Sequence, residues 1–189
     1  TQRAHNESEG KTITFGIKES IDCLSWIDYV KERFGQDKKV ILWGISMGAA
    51  TVLMAAGKPL PANVIGVIAD CGYSSPKEII QIVIRKMGLP VAPSYPLVKL
   101  AARLYGGFKL ESYSPIEAVK QATVPIIFIH GQDDDFVPCR MSEQMYEACT
   151  ARKQLLTIPG AGHGLACLVD PEGYYQALRD FFAEEEAVQ

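Results

Sequence analysis

Four short runs of β-branched and aliphatic residues recur along the chain: Lys39–Trp43, Val64–Ala69, Val124–Ile129 and Lys153–Ile158. The first three are nearly continuous in apolar character, which predicts parallel strands covered on both faces. The fourth is mixed and predicts a place nearer an edge. Between them the spacing turns helical. Ile21, Leu24, Ile27 and Val30 lead to Gly35, a plausible helix stop, and the Ala-rich stretch Met47–Ala56 is closed by Gly57 and Pro59. Met141–Cys149 and Gly173–Glu185 read as two further helices. Strands alternating with helices imply right-handed crossovers and a parallel α/β sheet flanked by helices.

One segment departs from the alternation. From Ser75 to about Phe108 runs one helical patch (Ile79, Ile80, Val83, Ile84), then Pro90, Pro93 and Pro96, then a second (Leu97, Val98, Leu100, Ala101, Leu104). That is too long for a simple connection, and it predicts a helical lid, roughly residues 75–108, over the ligand-binding end of the sheet. A helix pair packed away from any site is the plainer alternative. No repeat or low-complexity linker divides the chain, so residues 1–189 read as one domain with one core.

Charge and cysteine usage narrow the function classes. The formal net charge is −3 and basic residues form no long run, which argues against a nucleic-acid surface. The run Glu184–Glu186 reads as a solvated helix face. Five singly placed cysteines show neither Cys-x-x-Cys nor zinc-finger spacing, so reduced thiols in a cytoplasmic protein are expected. No apolar run reaches the ~18 residues of a membrane span, and the polar start Thr1–Glu7 is not a signal peptide.

The chemistry concentrates after the strands. Gly44-Ile45-Ser46-Met47-Gly48 follows the first strand and opens the Ala-rich helix. A nucleophilic serine on so sharp a turn needs small neighbours, which Gly44 and Gly48 supply, and the helix N-terminus favours negative charge there. With ten serines and 16 glycines, chance gives this pattern only about 0.07 times, so its placement is informative. A serine needs a base, and three histidines are available. In the Ser–acid–His order His5 comes too early, and His130 ends a strand where it should be partly packed. His163, in Gly160-Ala161-Gly162-His163-Gly164 after the last strand, is the choice. The acid stays open on spacing alone: Asp133, Asp134 and Asp135 share one loop, and Asp70 ends the second strand. Cys71 and Cys167 are weak nucleophile candidates, because neither sits on a glycine-flanked strand-to-helix turn.

The chain resembles the C-terminal two-thirds of the α/β-hydrolase superfamily, near its esterase, thioesterase and S33/S9-peptidase-like branch. The resemblance rests on Gly-x-Ser-Met-Gly at residues 44–48, His-Gly-x-x-Asp-x-x-Val-Pro at 130–138 and Gly-x-Gly-His at 160–163. It implies Asp134 as the acid, with Val137-Pro138 in register, and His163 as the base. The segment Arg3–Gly10 resembles the family's Asp-x-Arg-x-His-Gly-x-Ser-x-Gly, with Thr1 in place of Asp and Asn6 in place of Gly; Asn tolerates the left-handed turn best. The implied activity is hydrolysis of a carboxylic ester, or a thioester or amide, through Ser46, Asp134 and His163, with the Met47 N–H as oxyanion donor. No metal or organic cofactor is implied. Strands one to four of the complete fold are not found here, nor is the loop supplying a second oxyanion donor, worth roughly 10²–10³ in kcat. The expectation is an impaired catalyst or a binding module, with the first strand as an exposed edge that favours a homodimer.

Overall fold

In the computed structural model the described residues are 2–187, with only the backbone described for 184–187, so Thr1 and the Glu184–Glu186 side chains lie outside the description. Four parallel strands, β1 (Val40–Ile45), β2 (Val64–Asp70), β3 (Ile126–Gly131) and β4 (Lys153–Ile158), pair in the order β1-β2-β3-β4. Helices α1 (Glu19–Phe34), α2 (Met47–Ala56), α5 (Pro115–Val119) and α6 (Arg140–Ala148) lie on one side, and α7 (Ala166–Val169) and α8 (Pro171–Ala187) on the other. Between β2 and α5 stand α3 (Pro76–Lys86) and α4 (Val91–Leu104).

The period of two along each strand divides the core. Val67, Ala69, Ile126 and Phe128 join Leu53 and Ala56 of α2 in one cluster, whereas Ile68, Ile127 and Ile129 join Tyr174 and Phe181 of α8 in the other. β2 and β3 are therefore buried almost throughout. β1 is not, contrary to the expectation of cover on both faces. As an edge strand it leaves Ile41, Trp43 and Ile45 between 41% and 51% exposed, while Leu42 packs under α2.

The segment from Ser75 to Phe108 also departs from its pattern. α3 begins as its residues predict, with Ser75 accepting the Glu78 N–H at 3.2 Å and Pro76 at the first helical position. Pro93 and Pro96 do not separate two helices but lie within α4. Pro93 falls in the first turn, where the missing N–H has no acceptor anyway. The packing stripe of α4 is Val91, Tyr95, Val98 and Ala102, and Leu97, Leu100 and Leu104 face outward. Among the described residues no helix is long and apolar enough to cross a membrane.

Candidate active site

β1 ends at Ile45 and α2 begins at Met47, so Ser46 alone makes the turn. Its φ of 55° and ψ of −116° lie where a side chain is strained, a cost of roughly 1–3 kcal/mol. The Ser46 N–H still donates to the Asp70 carbonyl at 2.8 Å, and its own carbonyl accepts the Ala50 N–H at 3.1 Å. Strand and helix thus each hold one side of the residue. The reversal folds α2 back over β1 so closely that a Cβ on Gly44 would overlap the Gly48 carbonyl and the Ala49 nitrogen. Gly48 is different: no atom lies within 4 Å of where its Cβ would stand. Room is required at Gly44, not equally at both glycines.

A second close approach joins the loops after β3 and β4. A Cβ on Gly131 would strike the Ala161 carbonyl; Gln132 N–H donates to Ile158 at 2.9 Å and Asp133 N–H to Ala161 at 3.0 Å. This seam brings Asp134 and His163 together. Asp134 Oδ2 lies 2.7 Å from His163 Nδ1, and His163 Nε2 lies 2.9 Å from Ser46 Oγ. Asp133 and Asp135 are exposed. The Asp70 side chain is buried, and its carboxyl accepts from the Tyr174 hydroxyl at 3.0 Å. Burial pushes the Asp70 carboxyl up from its ordinary value.

Asp134 is the better prepared anion. Its Oδ1 accepts the Phe136 and Val137 N–H groups at 2.9 and 2.8 Å, and its Oδ2 also faces His130 Nε2 at 3.2 Å. Burial alone would raise its pKa. Hydrogen bonds from His130, His163 and the Val137 N–H outweigh that and hold the carboxyl well below the usual carboxylate range.

His130, expected to be only partly packed, is wholly buried and belongs to this network. Its Nε2 also lies 2.8 Å from the Val137 carbonyl, which can only accept, so Nε2 carries the proton. Nδ1 then accepts from the Ser142 hydroxyl at 2.7 Å. The sequence signal for His130 was its place at the end of β3, four residues before Asp134; nothing in the sequence pointed to Ser142. Phe136 was also missed, and its ring stands edge-on to His163 at 5.1 Å.

Cys71 Sγ, an Asp134 oxygen and a His163 nitrogen lie within 4.8 Å of one another, a set that could hold a metal ion. Burial pushes the Cys71 thiol up to about 12, however, so it stands as a neutral thiol, a poor ligand and a poor nucleophile. Arg3 and His5 lie outside the site: Arg3 pairs with Asp22 of α1 at 2.5 Å, and His5 Nδ1 lies 3.0 Å from the Arg3 carbonyl. Ala4 and Asn6 hold φ of 59° and 49°, so Asn6 does take the left-handed turn.

A parallel sheet flanked by helices, with a serine at a strained strand-to-helix turn, defines an α/β-hydrolase-superfamily fold. The Pyrococcus furiosus esterase Pf2001 superposes with a TM-score of 0.70 at 22% identity, over 96% of this chain and 68% of that one. The chain belongs to the prolyl oligopeptidase family, whose model matches residues 13–187. Among its relatives, the Bacillus subtilis protein YqkD is 28% identical over 95% of the chain. A Saccharomyces cerevisiae protein described as an uncharacterized membrane protein is 25% identical over 97%. The chain spans 59% of the length of each of these two relatives.

Proposed function

We propose that the chain carries the nucleophile, base and acid of a serine hydrolase acting on a carboxylic ester of modest size with an apolar acyl group. The observation behind this reading is the unbroken connection from Ser46 Oγ through His163 to Asp134, at 2.9 and 2.7 Å. Ser46 Oγ attacks the ester carbonyl while His163 Nε2 takes its proton. The N–H of Met47, first residue of α2 and without an intrahelical acceptor, donates to the oxyanion. Collapse expels the alcohol, which receives the proton from His163. Water, deprotonated by the same imidazole, then releases the acid from Ser46. Asp134 holds the Nδ1–H tautomer and stabilises the imidazolium, and His130 and Ser142 position Asp134.

An apolar acyl group suits the rim, where Ile45, Phe136 and Leu165 are 50%, 43% and 44% exposed beside Ser46 and His163. Thioesters and amides share this chemistry, and the family's name keeps peptide bonds in view. The test is kinetic: p-nitrophenyl esters of increasing acyl length against a peptide p-nitroanilide. Ester turnover that disappears in Ser46→Ala supports the proposal; turnover unchanged in Ser46→Ala contradicts it.

A second reading, a binding module with impaired chemistry, is favoured by the edge position of β1 next to Ser46. Among the described residues no strand pairs with its outer edge, and that edge, with half-exposed Trp43, suits an added strand, including one from a second copy. Light scattering that finds a monomer with full ester turnover would remove it.

A further inference from the structure

We propose that the α3–α4 hairpin is a docking surface for an anionic lipid bilayer, one that sets the chain on the membrane with the mouth of the site close by. Three observations lead there, none of which depends on the chemistry at Ser46.

The first is an apolar surface facing away from the protein. α4 packs inward through Val91, Tyr95, Val98 and Ala102. At 100° per residue, the stripe of Leu97, Leu100 and Leu104 points about 160° away from that seam. These leucines are 66%, 51% and 67% exposed, and Met87, Leu89 and Tyr105 at the two ends of α4 are 67%, 47% and 90% exposed. An outward leucine stripe with an exposed tyrosine at its end is the pattern of a helix lying in a membrane interface.

The second is charge. Residues 75–111 hold six cations, Lys77, Arg85, Lys86, Lys99, Arg103 and Lys109, against Glu78 and Glu111 alone. That is a formal +4 in a chain whose total is −3, so the remaining residues carry −7. All six cations are exposed, and Lys99 and Arg103 lie on α4 along one side of the leucine stripe. Lys99 is paired with Glu111 at 2.7 Å. A symmetric contact between two copies would set this positive surface against itself. An anionic bilayer accepts both parts, leucines at the acyl boundary and cations among the headgroups.

The third is position. The Lys86 ammonium donates to the Asp135 carbonyl and lies 6.0 Å from the centre of the Phe136 ring, which stands edge-on to His163. The end of α3 is therefore one ring away from the imidazole, and Met87 and Leu89 follow directly. A membrane-seated hairpin holds the site next to the lipid.

The test is flotation of the 189-residue chain with vesicles of phosphatidylcholine containing phosphatidylserine, and with vesicles of phosphatidylcholine alone, without any substrate. Binding is expected on the anionic vesicles, weak on the neutral ones, and declining as salt rises. Leu97→Ser/Leu100→Ser/Leu104→Ser should lower the partition at least tenfold, with the far-UV circular dichroism unchanged because all three leucines already face solvent. Arg103→Gln/Lys109→Gln should lower it about fivefold per cation, and Ser46→Ala not at all. Absence of binding to anionic vesicles overturns the proposal, as does undiminished binding by the Leu→Ser variant. So does a dimer, seen by light scattering, that the Leu→Ser variant converts to monomer, which would make a second copy the occupant.

Discussion

Asp134→Asn separates the proposed network from its nearest rival, because the two oxygens of Asp134 do different work. Oδ1 accepts two backbone N–H groups, at 2.9 and 2.8 Å, which an Asn carbonyl would keep. The Asn amide would then occupy the place of Oδ2 and present N–H donors to the N–H of His130 and to Nδ1 of His163. The neutral imidazole of His163 answers by moving its proton to Nε2, which leaves no lone pair for the Ser46 proton. Such a change of tautomer costs about 10⁴ in kcat, or about 5.5 kcal/mol of transition-state stabilisation, with little effect on KM. The fold also loses hydrogen bonds to a buried charge, worth about 1.5–3 kcal/mol each. Urea unfolding at neutral pH should show that loss. The kinetic assay is p-nitrophenyl ester turnover by a sample whose circular dichroism shows it folded. Asp70→Asn serves as the comparison, because Asp70 bonds Tyr174 and not the imidazole; its kcat should fall less than tenfold. A loss below tenfold in Asp134→Asn, or the larger loss in Asp70→Asn, would refute the reasoning.

Two further outcomes follow from the same geometry. Gly44→Ala should abolish ester turnover and destabilise the fold by roughly 1–3 kcal/mol or more, since its Cβ meets backbone, whereas Gly48→Ala should cost less than about 1 kcal/mol; equal effects in chemical denaturation would refute the close approach of α2 at Gly44. The folded Asp134 pKa lies below its unfolded value, so the unfolded chain binds more protons and stability rises with pH. That contribution is complete above the ordinary carboxylate range, near pH 5, and is lost as pH falls towards the depressed folded value; urea midpoints from pH 7 to pH 3 should show this for the parent and a flatter curve for Asp134→Asn.

What was legible in the sequence was whatever local pattern fixes. The four strands and the turn at Ser46 follow from apolar runs and from glycine at Gly44. His163 follows from a glycine-rich loop after the last strand. Asp134 was not decided by spacing, because three aspartates share its loop. The loop's turn aims the middle carboxylate inward at two backbone N–H groups and leaves Asp133 and Asp135 in solvent. Ser142 could not be found, since only the packing of α6 against β3 brings its hydroxyl to His130. The face that α4 turns inward was not legible for a related reason. Leucine spacing marks an apolar stripe but not which way it points, and the buried residue of α4 is Tyr95.

The proposed chemistry turns on Ser46 being a nucleophile activated by His163. Its most direct test is to treat the folded chain with a fluorophosphonate and map the adduct by mass spectrometry. One phosphonylated serine, Ser46, is expected, with suppressed labelling in both His163→Ala and Asp134→Asn. An unlabelled folded chain, an adduct on another serine, or labelling of Ser46 that is unaffected by loss of His163 would contradict it.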